Sequence, residues 1–534
     1  MLASRTSLGF SLVLFGALST LTASACGSTP ADPIVVPDGG PPRVPAPPAP
    51  TGSSAEAGTP DAGVLQGLPP PEKPKPDEYT EAFGVFVATS GAPEAAGTRA
   101  APLSTISAGI LKAKLEKKRL YVCAGTYPEP LVLEDGVSIV ANLDCFSPQW
   151  KEGLSHAVLA SPSSPAVTAR NIRSATRVDG LDVIAPAGTE AEPSSIGLLA
   201  VDSVGLTLSG GKVEAQAGFA GKDGVPLPGY TLRADRAAEP SRAGSQCLSG
   251  IGAGSPCSVP QNAGEVPFNA RPQNGVAQGG LASCIAEGAA TLSGTGGNGG
   301  NGRLYDTSGT AVVFPQTLGT PGSPSTPAQP VGGASSLGGA FNGEGYTTGD
   351  GQQGNHALTM SIGGAGGMGG TEFTTPGALR YSSSGSAGGA GGCPGRYGSG
   401  GKGGGASVAA LLTRSPVRFE KSALRAGNGG SGGAGSYGAS PTLGQPGAPA
   451  ALGGLAGADG AAGVQAGASG HGAGGPSFGI VHDSAGKPTL ADSPITHGAA
   501  GASPGITTTP SVFGQPARTI PAAGIAGAAN VLEL

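Results

Sequence analysis

The stretch "GGGASVAALLTRSPVRFEKSALRAGNGGSGGAGSYG", residues 403–438, holds a strand-like island inside a glycine desert. Val, Leu and Phe crowd Ser407 to Ala426, while glycine dominates on both sides for tens of residues. Two other segments share its plan: "SIGLLAVDSVGLTLSGGKVEAQAG" from Ser195 and "SFGIVHDSAGKPTLADSPITHGAAG" from Ser477. Each begins with Ser and an apolar run, turns at small polar residues into a second strand, turns again into a third, and ends in Ala/Gly. A repeat of this length with three short strands cannot bury its own inward side chains. It reads as one rung of a stack whose neighbours lie about 4.8 Å away and far off in sequence.

Composition agrees that no single large core is present. Gly (99) and Pro (49) together exceed a quarter of the 534 residues, and charged residues are only 12%. The net charge of −5 and the lack of a basic patch with interleaved aromatics exclude nucleic acid as a partner class. Arg5, the apolar run Leu8–Leu21 and the small residues Ala23, Ser24 and Ala25 form an export signal over residues 1–25. Its end, "LTASAC", resembles a bacterial lipobox, which implies a lipid on Cys26; Ala23 stands where that pattern prefers Leu, so a plain cleaved signal is the other reading. With Gly27 next, the expected address is the outer membrane or cell surface, with the lipid as membrane partner. Residues 26–78 then read as a lipidated Cys and a Pro-rich, unfolded tether.

The next segment carries a resemblance. "FGVFVATSG" (83–91), the helical pattern "APLSTISAGILKAKLEKK" and "RLYVCAGTYPEPLVLEDGVSIVANLDC" follow one another. In the helix, Ser104 is the expected N-cap, and Ile106, Ile110, Leu111 and Leu115 the apolar stripe. Through Tyr121–Tyr127, Glu129, Leu131, Leu133 and Gly136–Ile139, this order resembles the opening of pectin-lyase-like right-handed parallel β-helices. The expected fold is therefore all-β: a right-handed parallel β-helix (solenoid) with a short N-terminal capping helix and long glycine-rich insertions. The expected segments are cap and coils at 79–218, a glycine-rich insertion at 219–403, a coil at 404–430, a second insertion at 431–475, and a last coil with tail at 476–534.

The glycine itself has a period. Ala387, Ala390, Cys393, Arg396, Ser399 and Lys402 recur every third residue, as do Asn428, Ser431, Ala434 and Tyr437. Three is the polyproline-II period, and the longest strict triplet run is too short for a collagen helix. Two readings stand: flexible glycine loops, or packed polyproline-II strands approaching through bare edges. These runs are similar to the glycine-rich part of PE-PGRS-type proteins, without a PE-like N-terminal domain.

For chemistry the sequence offers little. Asp179 and Asp202 lie one coil apart; stacked, they would make a carboxylate pair able to hold Ca²⁺, and the bland alternative is that both cap solvent-side turns. "SGHGAGG" (469–475) resembles the Gly-His-Gly of polygalacturonases without that family's companion motifs. No nucleophile elbow, P-loop or dinucleotide fingerprint occurs, and no catalytic residue is nominated. Six cysteines remain after Cys26. Cys123 and Cys145 are one coil apart, Cys247 and Cys257 close a short loop, and Cys284 with Cys393 would join two glycine-rich stretches. The expected function is structural or adhesive binding at the cell envelope, towards a polysaccharide or another surface protein. The alternative is a polysaccharide-active lyase or hydrolase of the β-helix class.

Overall fold

The computed structural model describes residues 72–534 except 146–149, 154, 242–275, 301–303, 306–310, 313–317, 324–328, 374–379, 452–453 and 510. Cys26, the expected export signal, most of the expected tether, and Cys247 with Cys257 lie outside the described residues.

The islands pair as their alignment predicts. Ser195 is opposite Ser407, and Ser407 opposite Ser477, all in parallel register. Within each island the three strands go to three different sheets. Ser195–Val201, Ser407–Thr413 and Ser477–His482 lie in one, Leu206–Ser209, Arg418–Glu420 and Thr489–Ala491 in a second, and Lys212–Ala215, Ala423–Ala426 and Ile495–Thr496 in a third. Strands from residues 84 to 184 extend the same sheets, which hold six, eight and six strands respectively. Left-handed residues make one set of corners: Asn171, Asp202 and Arg414, each one past a strand end, have φ of 56°, 52° and 47°. Asn and Asp tolerate that conformation through their short polar side chains.

This layout corrects the expected fold class. The strands form three separate parallel sheets, accompanied by a helix and small antiparallel pairs, and they do not close into an all-β solenoid; the parallel layout is of α/β type. The reason lies in the connections. After Lys212–Ala215 the chain returns to the sheets only at Ser407, after Ala423–Ala426 only at Ser477, and after Ile495–Thr496 only at Ala528. All three departures are from the same sheet, and each feeds glycine-rich chain instead of a turn into the next strand.

Between the sheets lies a core built from Val85, Leu120, Ile139, Leu159, Val178, Leu198, Leu208, Phe419 and Ile480, among others. The helix Ile106–Glu116 covers one end of it through Ile106, Gly109, Ile110 and Ala113. A Cβ at Gly109 would stand 2.5 Å from Val87 Cγ2, so glycine lets the helix approach closely. Its N-cap is Thr105, whose hydroxyl accepts from Ala108 N–H, rather than Ser104. Leu111 and Leu115 are exposed, because the buried face follows the small residues Gly109 and Ala113. Glu129, one of the residues of the β-helix resemblance, accepts from the N–H groups of Ile106 (2.7 Å) and Ser107 (3.1 Å) and so sits at the helix's positive end.

The glycine-rich segments are packed. Residues 384–396 are all buried. Along this stretch Ser386, Gly389, Gly392 and Gly395 donate their N–H to the carbonyls of Leu455, Ala458, Ala461 and Val464. One residue further on, the carbonyls of Ala387, Ala390, Cys393 and Arg396 accept from Ala448, Gln445, Thr442 and Ala439. The third edge, Gly385 and Gly388, donates to Gly300 and Gly297. Each edge of a three-residue period thus serves a different neighbour, which decides for the packed-strand reading over loose loops. With almost no side chains to bury, the layer is carried by backbone hydrogen bonds, worth about 0.5–1.5 kcal/mol each, and by weak C–H···O attraction between backbones that lie close together.

Candidate functional site

Alternation builds the candidate site on the outer face of the eight-stranded sheet. In Thr176–Asp179, Val178 enters the core, so Arg177 and Asp179 point outward; in Arg418–Glu420, Phe419 does the same for Arg418 and Glu420. Arg177 reaches Glu420 (3.0 Å), Asp179 (3.4 Å) and the Ser209 hydroxyl (2.6 Å). Lys73 bridges Asp179 (3.3 Å) and Glu152 (2.8 Å), Tyr79 donates to Glu152 (3.0 Å), and Arg418 donates to Glu420 (2.6 Å). Three cations alternate with three carboxylates. The Lys73 ammonium holds the Glu152 carboxyl below its ordinary range. Burial pushes Glu420 up, but bonds from Arg418 and Arg177 outweigh it and leave that carboxyl lowered too. Each charge is compensated by a neighbour, so the ladder ties strands of this face together.

Beside the ladder, Glu152 also lines a cavity of about 650 Å³, walled by Cys123, Cys145, Asp144, Lys151, Ser155 and His156 with Gly125 and Gly153. His156 Nδ1 is 3.3 Å from Asp182 Oδ2, and Asp182 is buried and accepts Lys212 N–H through its other oxygen (3.0 Å). An imidazole thus stands beside a buried carboxylate at the cavity wall, a pair of residue types that acid–base chemistry uses. Sequence reading passed over this pair because the two lie on successive rungs without any motif. The signal was the rung period itself: Ala157 is opposite Leu181 and Val158 opposite Asp182.

Asp179 and Asp202, nominated as a pair able to hold Ca²⁺, stand at different places in the sheets. Asp179 ends a strand of the eight-stranded sheet opposite Ser209, whereas Asp202 is a corner residue beyond Ser195–Val201, in a different sheet. Asp202 is chelated by Arg414 through Nε (2.6 Å) and Nη2 (2.7 Å), which holds its carboxyl low, and Asp179 is taken by Lys73 and Arg177. Among the described residues no cluster of three or more His, Cys, Asp or Glu could hold a metal ion.

Cys123–Cys145 and Cys284–Cys393 are disulfide-bonded, each with Cα atoms 5.6 Å apart. The first joins the ends of neighbouring strands and walls the cavity. No known protein family, curated protein or solved structure matches the chain. The resemblance to pectin-lyase-like chains therefore rests on its quoted residues alone.

His471, in the "SGHGAGG" stretch, is a packing element of the glycine layer. It is fully buried; Gly435 N–H donates to its Nδ1 (2.8 Å), so Nε2 carries the proton towards Thr507 Oγ1 (3.1 Å). Burial pushes its pKa below the ordinary histidine value, opposed by Asp223. The unfolded chain then binds more protons below pH ~6.5, so this contribution is full above that pH and is lost as pH falls towards the lower folded value. His356, also lowered by burial, acts in the same direction. The expected result is a melting temperature that drops between about pH 7 and pH 5, with a shallower drop in His471→Gln. A slope unchanged by the substitution would mean that His471 tolerates its proton.

Proposed function

We propose that the chain is a cell-envelope surface protein of structural or adhesive kind, held to the outer membrane by a lipid on Cys26 and displaying its parallel sheets and glycine layer to a polysaccharide or another surface protein. The observation that supports this most is the continuity of sheets and glycine layer through backbone hydrogen bonds: Gly218 to Asn428, Gly430 to Gly405 and Ser407 to Pro476. Long insertions locked in this way present a fixed extended surface, which suits display. The compensated charge ladder points the same way, since its groups are committed to one another.

The second reading, a polysaccharide lyase or hydrolase, is favoured by the His156–Asp182 pair at the cavity. One experiment separates the two. Envelope and plant-type glycans are arrayed with and without Ca²⁺, and bound glycans are then assayed for new reducing or unsaturated ends. Binding with intact chains supports adhesion. Turnover that disappears in His156→Ala establishes the enzyme instead. For the anchor, Cys26→Ser is expected to move the protein from the membrane fraction to the soluble one and to abolish labelling by a fatty-acid analogue. Retention of the mutant on membranes, with no label on the wild type, rejects the lipid.

A further inference from the structure

Arg396 is the misfit of the glycine layer. It occupies a place in the three-residue period where Ala387 and Ala390 stand earlier, and it is buried, with 6% of its surface exposed. Its Nη1 donates to the carbonyls of Pro228 (3.0 Å) and Glu287 (3.1 Å). Its guanidinium lies over the Tyr230 ring, 5.5 Å from the centroid. No described carboxylate pairs with it, and its buried Nε has no acceptor. Arg414 behaves differently: there the Nε and Nη2 edge chelates Asp202 at 2.6 and 2.7 Å. In Arg396 the Nε of that edge meets no acceptor, although the charge is deeper and a buried cation calls for a counterion.

The surroundings are built and braced. Cys393 lies one three-residue step before Arg396, and Cys284 lies three residues before Glu287, whose carbonyl holds Nη1. The Cys284–Cys393 disulfide therefore ties the strand that carries Arg396 to the segment whose Glu287 carbonyl holds its guanidinium. Buried Tyr230 supplies one wall. His356 and Tyr397, with ring centroids 4.9 Å apart, are only half-buried, and His356 also neighbours Tyr230 at 6.4 Å. Access to the enclosed Nε would require one of these two rings to turn aside. A guanidinium edge framed by rings fits a planar oxyanion carried on a ring-sized body.

We propose that Arg396, stacked on Tyr230 with His356 and Tyr397 beside that ring, is a binding site for the carboxylate of an organic ligand. The carboxylate oxygens accept from Nε and Nη2, as those of Asp202 do from Arg414, while Tyr230 keeps its place on the guanidinium face. Two sources share that chemistry, an acidic sugar and the carboxyl end of a peptide.

The test follows the arginine side-chain Nε–H resonances of the full mature protein, selectively labelled with ¹⁵N. Glucuronate is titrated against glucose, and N-benzoylglycine against its amide. The Arg396 signal, assigned by its absence in Arg396→Lys, is expected to shift saturably with at least one carboxylate and with neither neutral counterpart. A shift with glucuronate alone assigns an acidic saccharide, with N-benzoylglycine alone a peptide end, and with both the shared group. Arg396→Lys keeps the charge but loses the two-pronged edge, so affinity, read by calorimetric titration of the same carboxylates, is expected to fall ~10-fold or more. Should that variant not fold, the signal is assigned by its ring-current change in Tyr397→Leu, and the wild-type titration decides. A resonance that stays fixed with both carboxylates, or that moves equally with the neutral pair, overturns the site and leaves Arg396 as an internal brace.

Discussion

Gly389→Ala is expected to destabilise the protein by roughly 1–3 kcal/mol or more, although it adds only a methyl group. An added Cβ at Gly389 would stand 2.0 Å from the Gln445 carbonyl oxygen and 2.7 Å from that of Pro446. Backbone cannot swing aside as a side chain does, so two strands of the layer must separate. In doing so they strain Gln445 N–H to the Ala390 carbonyl, the hydrogen bond that joins those two strands. The control is Gly505→Ala, where nothing lies within 4 Å of the new atom. There the substitution only narrows the unfolded ensemble and is expected to be neutral or stabilising by about 0.4–1 kcal/mol. Chemical denaturation of both variants checks the contrast. Two equal, small effects would return the glycine segments to the status of flexible loops.

That contrast bears on what could be read from sequence. The period of three was visible in Ala387, Ala390, Cys393 and Arg396, but periodicity alone cannot distinguish a packed strand from a loop. The partners of this strand are residues 439–448 on one edge, 455–464 on a second and 297–300 on a third. With no side chains to pattern, nothing in the sequence encodes which neighbour meets which edge. The alignment of Ser195, Ser407 and Ser477 was legible because stacked strands repeat their inward residues. The closed solenoid did not follow from it, since three departures into the glycine layer interrupt the winding. The charge ladder was hidden for a different reason. Its members come from strands at 177–179 and 418–420, from Glu152, and from Lys73 within a stretch that reads as tether, so no local window holds more than two. Asp179 and Asp202 show the converse hazard. A spacing near one rung places residues in register only if both occupy the same sheet, and the corner at Asp202 breaks that condition.

Phe419→Ala is expected to cost ~3–5 kcal/mol, the range for removing a buried aromatic ring without collapse of the site. Phe419 is fully buried in the central core and sits between Leu208 and Leu490 in the stack. Leu411→Ala is expected to cost ~2–5 kcal/mol, but at a different place. Strict alternation from Ala409 would turn Leu411 into the central core. Both Ala409 and Ala410 lie in that core, so the alternation slips by one and Leu411 turns to the opposite face of its sheet, where it meets Ile196, Leu199, Val408, Phe478 and Val481. That face is buried as well, because Phe341 and Tyr346 from the hairpin strands Ala340–Asn342 and Gly345–Thr347 pack onto it, with Phe341 6.0 Å from Phe478 between ring centroids. Arg418, between the two in sequence, pairs with Glu420 at the partly exposed end of the ladder, and Arg418→Ala is expected to change stability by ~1 kcal/mol or less. The hairpin makes the Leu411 effect conditional in a way the Phe419 effect is not. Phe341→Ala opens the cover and should reduce the further cost of Leu411→Ala while leaving that of Phe419→Ala unchanged. A double-mutant cycle by urea denaturation measures this. Equal coupling of Phe341 to both positions would place Leu411 back in the central core and refute the slip at Ala409–Ala410.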